Sequence, residues 1–177
     1  MSNPAASATV TGPDMEQLEI KAALGIDAEG TITGTAWPFG SADRVGDIIT
    51  KGAFGFSGEL PMLLAHDPEQ PVGLWNEIAE TDDGLQVKGS LFIGESQRAR
   101  AVRSSIQSGL LTGLSIGFRT KAATQSGRNR IISALDLLEI SVVRNPAHPK
   151  ARIAHAKDAT AAIAEAIHRA AVALRKS

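Results

Sequence analysis

One serine set between glycines, four histidines and no cysteine define the chemistry open to this 177-residue chain. The serine is Ser115, in Gly113-Leu114-Ser115-Ile116-Gly117. A hydroxyl is a poor nucleophile unless an imidazole accepts its proton and a third group fixes that imidazole's tautomer. His66 can supply the base, because it ends the apolar run Leu63-Leu64-Ala65-His66-Asp67 and is thereby presented at a rim. Taken alone, it reads at least as well as a capping histidine satisfied by a neighbouring carbonyl. For the third group the candidate is Glu139, in Leu137-Leu138-Glu139-Ile140-Ser141-Val142-Val143, where a buried carboxylate without a partner would be costly. Strand alternation alone would turn the same residue to solvent. His148 and His155 lie in or beyond a proline-rich exit, and His168 lies on a tail helix. With no HExxH spacing and no carboxylate-rich cluster, metal ligation by these four is not expected. Zero cysteine excludes a disulfide framework, a thiolate nucleophile and Cys-based zinc or iron–sulfur sites, and no cofactor is expected.

The pattern around Ser115 formally matches the GxSxG elbow of α/β-hydrolases. That elbow needs a helix after the serine, whereas Ile116, Phe118 and Thr120 alternate as in a strand, and no HGGG-type oxyanion motif lies upstream. The α/β-hydrolase fold is therefore rejected. What remains is a serine on or beside a strand, bordered by glycines that let a substrate backbone approach closely.

The elements that must position these groups follow from periodicity. Residues 1–14 are Ala, Ser, Thr, Pro and Gly without apolar rhythm, and read as a disordered arm. From Leu18 the runs are β-type: LEIKAALGI and TITGTAW about a turn at Glu29-Gly30, PMLLAH, and PVGLWNEIAE joined to LQVKGSLFI by a hairpin at Asp82-Asp83-Gly84. Ser96–Ser108 changes period, with Ala99, Val102, Ile106 and Leu110 on one face, Ser96 as cap and Gly109 as terminator, which predicts the one helix of the body. LTGLSIGFRT and RIISALDLLEISVV follow as strands, then the exit Asn145-Pro146-Ala147-His148-Pro149. The domain is expected to span 15–153. Residues 154–177 form an Ala-rich basic tail, with an amphipathic helix over Asp158–Arg175 striped by Ile163, Ile167 and Leu174. The fold class is α+β and mainly β, a barrel-like body with peripheral helices and this C-terminal helix.

Charge and hydropathy narrow the setting. No run approaches the roughly 20 apolar residues of a membrane span, and the first 15 residues lack a secretory pattern, so a cytoplasmic protein with no membrane partner is expected. A net charge of −1 argues against a nucleic-acid partner. From Arg144 onward seven basic residues face two acids, leaving −6 on the first 143 residues. A basic tail of this kind either solvates a helix face or docks on an acidic partner.

Six strings in order carry a resemblance. Asp43-Arg44-Val45-Gly46-Asp47-Ile48-Ile49 with Gly52-Ala53-Phe54; Leu63 to Asp67 with Pro71-Val72-Gly73; Gly84 to Gly89; Leu114 to Phe118; Leu138 to Val143; and Asn145-Pro146-Ala147 resemble the HK97-type phage prohead (maturation) protease family. The likeness runs from about Leu18 to Ile153. It implies a fold similar to herpesvirus assemblin and a serine endopeptidase inside the assembling prohead. Such an enzyme cleaves scaffold or the scaffolding segment of the major capsid protein, and itself. Carried over by position, Ser115 matches the family nucleophile and His66 the base. Assemblins use a second histidine as the third member, where this chain offers Glu139, with Ser141 and His148 as weaker options. By the same analogy, backbone N–H groups near Val142 to Arg144 meet the oxyanion. A second copy of the chain is a further expected partner. Two other readings compete: a non-catalytic assembly or scaffolding protein with Ser115 idle, and a small serine esterase pairing Ser115 with His148.

Overall fold

The computed structural model describes residues 25–154. The expected arm 1–14, most of the strand from Leu18 and the Asp158–Arg175 helix lie outside the described residues.

Alternation and turn chemistry build the first strands. Ile26 bridges Ile32 across a turn in which Asp27 accepts the Thr31 N–H at 2.7 Å, and β1 (Thr31–Pro38) follows. Short strands β2 (Asp47–Ile49) and β3 (Phe54–Gly55) precede β4 (Leu60–Leu64). Next come β5 (Gly73–Glu80) and β6 (Gly84–Leu91), the hairpin expected at Asp82-Asp83-Gly84. Helix α1 (Gln97–Gln107) starts where the Ser96 hydroxyl accepts the Ala99 N–H, and it buries Ala99, Val102 and Ile106. Leu110, expected on that stripe, lies beyond the helix end and is 48% exposed, because Gly109 turns the chain with a positive φ. Two long strands, β7 (Gly113–Ser126) and β8 (Asn129–Val143), form a hairpin, and β9 (Arg152–Ile153) ends the sheet.

Followed through their hydrogen bonds, β8, β4, β5, β6, β1, β9 and β7 make a ring that returns to β8, a closed seven-stranded barrel. The mainly β, barrel-like body is thus present. The peripheral helices expected around it reduce to α1 among the described residues. β8 organises the ring. One of its edges pairs with β7 along the whole hairpin, and the other is shared end to end by β2 at Arg130–Ile132, β3 at Leu135–Asp136 and β4 at Ile140–Val142. Those three contacts are parallel, so each needs a long connection rather than a tight turn.

Apolar residues of alternate positions fill the barrel, among them Trp37, Met62, Trp75, Leu114, Ile116, Ile140 and Val142. Trp75 is fully buried and its indole N–H donates to the Ile140 carbonyl at 2.9 Å, fixing β8 between Glu139 and Ser141. At the far end of β8, buried Asp47 receives both arms of Arg130, Nε at 2.8 Å and Nη2 at 2.5 Å. Asp43 accepts the N–H groups of Val45 and Asp47 at 2.9 Å, so this loop is a structural latch.

Trp75→Ala should remove a core aromatic and this N–H donor together, at about 3–5 kcal/mol. Urea unfolding followed by far-UV circular dichroism measures the loss.

Candidate active site

Because Leu114, Ile116, Ile140 and Val142 point into the barrel, the residues between them, Ser115, Gly117, Glu139 and Ser141, share its outer face. The register places Ser115 opposite Ser141 and Gly117 opposite Glu139, while Leu63 of β4 flanks Ser141 on the other side. Directly opposed residues hold their Cβ atoms about 4.5–5.5 Å apart. Leu63, Ser141 and Ser115 therefore form one row across three strands. Ser141 is fully buried and Ser115 is 5% exposed.

His66 reaches this row from a turn after β4. The expected strand PMLLAH stops at Leu64, since Ala65 and His66 both take left-handed backbone, with φ of 52° and 63°. Neither residue is glycine, so each costs on the order of 1–3 kcal/mol unless its surroundings enforce it. They do. Ala65 N–H donates to the Val142 carbonyl at 3.2 Å, His66 N–H to the Ser141 hydroxyl at 3.0 Å, and Asp67 N–H to the Leu64 carbonyl at 3.2 Å. Asp67 also pairs with Arg98 of α1 at 2.8 Å, and that guanidinium holds its carboxyl below the usual carboxylate range.

The imidazole is aimed by Glu139. His66 Nδ1 lies 2.6 Å from Glu139 Oε1, and the Ser141 hydroxyl donates to Oε2 at 2.7 Å. A carboxylate at Nδ1 requires the proton there, which leaves Nε2 as the basic lone pair. The hydrogen bond to Glu139 raises the His66 pKa, partial burial opposes it, and the negative charge of Glu139 adds to it. The Glu139 side chain is 13% exposed and that of His66 47% exposed, so the imidazole keeps far more access to solvent than the carboxylate.

The structure therefore joins His66 to Glu139 directly and brings Ser115 to the same face, one strand away through Ser141. Among the described residues no hydrogen bond links Ser115 to His66. His148 is elsewhere engaged. It is buried, its ring meets Trp37 edge-on at 4.9 Å, its Nδ1 accepts the Lys150 N–H at 3.2 Å, and its Nε2 donates to the Ser41 carbonyl at 3.2 Å. Burial lowers its pKa, so it is a neutral clasp between the Ser41 loop and the proline exit. Among the described residues no group of three or more His, Asp or Glu gathers as a metal site would.

Sequence reasoning missed why the serine is bordered by glycines. A Cβ on Gly117 would lie 2.8 Å from Glu139 Cγ and collide with its carboxylate, and one on Gly113 would lie 2.6 Å from Pro146 Cδ. Both glycines make room for groups of the opposite segment, which only the strand register discloses.

The profile of the Caudovirus prohead serine proteases matches residues 16–165. The chain belongs to this family. A prohead protease of Enterobacteria phage HK97 is 35% identical over 151 residues, covering 80% of this chain and 66% of the relative. A capsid polyprotein of Pseudomonas phage PAJU2 is 34% identical over 148 residues, covering 79% of this chain and 22% of the relative. The chain thus spans just under two thirds of one curated relative and about a fifth of the other. A solved structure of KSHV protease with a hexapeptide phosphonate inhibitor superposes with a TM-score of 0.41 and 16% identity, over 64% of this chain and 58% of that one, too distant to weigh beside the sheet itself. Four of the six strings that suggested the family fall around the outer-face row. Leu63 to Asp67 makes the left-handed turn, Leu114 to Phe118 and Leu138 to Val143 are the paired segments of β7 and β8, and Pro146 covers Gly113.

Gly117→Ala should push the Glu139 carboxylate off His66 at a cost of about 1–3 kcal/mol. The His66 titration midpoint, followed by imidazole NMR, is expected to fall towards 6.5, the ordinary histidine value.

Proposed function

We propose that the chain is a serine endopeptidase of capsid maturation, with Ser115 as nucleophile, His66 as general base and acid, and Glu139 as the group that orients and charges the imidazole. The observation that carries this reading is the 2.6 Å contact between His66 and Glu139, with Glu139 on the outer face of the barrel one same-face pair along the β7–β8 register from Ser115–Ser141. In the first step His66 Nε2 takes the Ser115 proton as Oγ attacks the scissile carbonyl carbon. The imidazolium that forms is stabilised by Glu139, which stays ionised. His66 then gives the proton to the leaving amine, and the acyl-enzyme is hydrolysed by a water that His66 deprotonates in turn. Charge on the tetrahedral oxygen needs fixed backbone donors, for which the analogy with assemblins points to the segment Val142 to Arg144, whose Val142 and Val143 oppose Leu114 and Gly113 just before Ser115.

The substrate proposed is the scaffolding segment of the major capsid protein or a separate scaffold, together with the chain itself, inside a prohead assembling in the host cytoplasm. The relative named capsid polyprotein supports this, since a segment like this chain makes up 22% of a protein named for the capsid. The esterase reading is not retained, because His148 has both ring nitrogens committed to Ser41 and Lys150.

Co-expression with the capsid protein, followed by mapping of its new N-terminus, tests the activity. Ser115→Ala and His66→Ala should each abolish processing, by about 10⁴-fold or more, and the double variant should be no worse than either. Processing that persists in Ser115→Ala refutes the mechanism.

The pH dependence has a definite sign. His66 acts when neutral, so turnover rises as pH passes upward through its raised pKa. The pair's contribution to stability runs the other way: it is complete below 6.5 and is lost through that same raised value. Glu139→Gln should lower turnover by about 10²-fold and move the acidic limb of the pH–rate profile to lower pH. An unmoved limb would remove Glu139 from the site.

A further inference from the structure

The active row contains a fully buried side chain to which the mechanism above gives no task. Ser141 Oγ accepts the His66 N–H at 3.0 Å and donates its own hydrogen to Glu139 Oε2 at 2.7 Å. One hydroxyl thus holds both ends of the His66–Glu139 contact. Its first bond grips the backbone of a left-handed residue that has no glycine freedom. Its second fixes the carboxylate oxygen that His66 does not use, so Glu139 cannot rotate away towards solvent without breaking it. The two bonds are possible together because Ser141 lies on β8 between Leu63 of β4, three residues before His66, and Ser115 of β7. A serine directly opposite a serine is otherwise a weak choice for a buried row that an aliphatic residue would fill.

We infer that Ser141 is a positioning residue for the reaction: it sets the orientation of the His66 imidazole relative to both Glu139 and Ser115, without touching substrate. This rests on the Ser115–His66–Glu139 reading. A merely structural serine would affect stability alone, whereas a positioning serine must affect how His66 titrates and how readily Ser115 is activated. The conservative variant is informative for the same reason. Threonine keeps the hydroxyl that makes both bonds, alanine keeps neither, and cysteine offers only a weak thiol donor and acceptor.

The full chain is labelled with a fluorophosphonate, whose rate of reaction reports activation of Ser115 without a known cleavage site. Its pH dependence reports His66. Ser141→Ala is expected to slow labelling by about tenfold to a hundredfold and to move the midpoint of the pH profile down, towards that of Glu139→Gln. Ser141→Thr should restore the rate to within about fivefold of the parent, with Ser141→Cys between the two. Imidazole NMR on the Ser115→Ala chain gives the His66 midpoint directly, and adding Ser141→Ala should lower it. A Ser141→Ala chain labelled within about twofold of the parent rate, with an unmoved midpoint, overturns the inference. So does a folded Ser141→Thr chain as slow as Ser141→Ala. Should circular dichroism show the alanine variant unfolded, Ser141→Cys decides: a parent-like rate and midpoint overturn the inference, and an intermediate rate with a lowered midpoint supports it. A parent chain labelled at a residue other than Ser115, or not at all, defeats the catalytic reading itself, which separates that failure from this one.

Discussion

Everything at the site hangs on the register between β7 and β8. Side chains alternate with a period of two, so a one-residue slip of β7 would carry Ser115 into the barrel and turn Leu114 out, and one of β8 would do the same to Ser141 and Ile140. That slip is blocked from several directions. Four core residues would have to be exposed, the indole of Trp75 would lose the Ile140 carbonyl, and the Asp47–Arg130 pair would be drawn out of line. An irregularity between Gly117 and Phe118, where Leu138 is left without a partner and stands 47% exposed, rotates the distal part of the hairpin relative to the segment that carries the site. The register is therefore set by hydrophobic burial throughout the barrel, and the chemistry inherits it.

The turn at Ala65-His66 shows the complementary principle. Two consecutive non-glycine residues in left-handed backbone are unfavourable by themselves, and they stand only because β8 supplies a carbonyl and a hydroxyl at the required places while α1 holds Asp67 through Arg98. Strain is stored where the imidazole is presented, and the rigid strand beside it absorbs the cost. The resulting His66–Glu139 pair is asymmetric in its surroundings: a sheltered carboxylate and a half-open imidazole. Shelter strengthens the attraction that lifts the His66 pKa, while openness lets the other ring nitrogen exchange protons.

Strands with clear alternation and the capped helix were legible in the sequence, because burial of one face imposes a period that composition reveals: TITGTAW, LQVKGSLFI and the Ala99–Val102–Ile106 stripe all appear where that period places them. The strands β2, β3 and β9 were not, since two or three residues carry no period and exist only through their partners. Among the candidate residues, Glu139 stood out by its apolar neighbours, and the structure gives it the imidazole it needed. The left-handed turn was invisible, because neither Ala65 nor His66 is a residue that favours it. His148 was open as a third member or as the base of an esterase, but its burial against Trp37 is a tertiary fact with no local signal.

The shared edge of β8 has a consequence in time rather than in space. His66 is held by bonds to residues 75 positions later in the chain, and Glu139 contacts it across 73. Parallel contacts between such distant segments form slowly, after local hairpins and helices, because a long loop must close before any interaction rewards it. Until residues 139–142 are in place, His66 lacks both its carboxylate partner and the groups that hold its turn. The barrel thus acts as a safety catch for the proposed site: the His66–Glu139 contact is made only with these late contacts of folding.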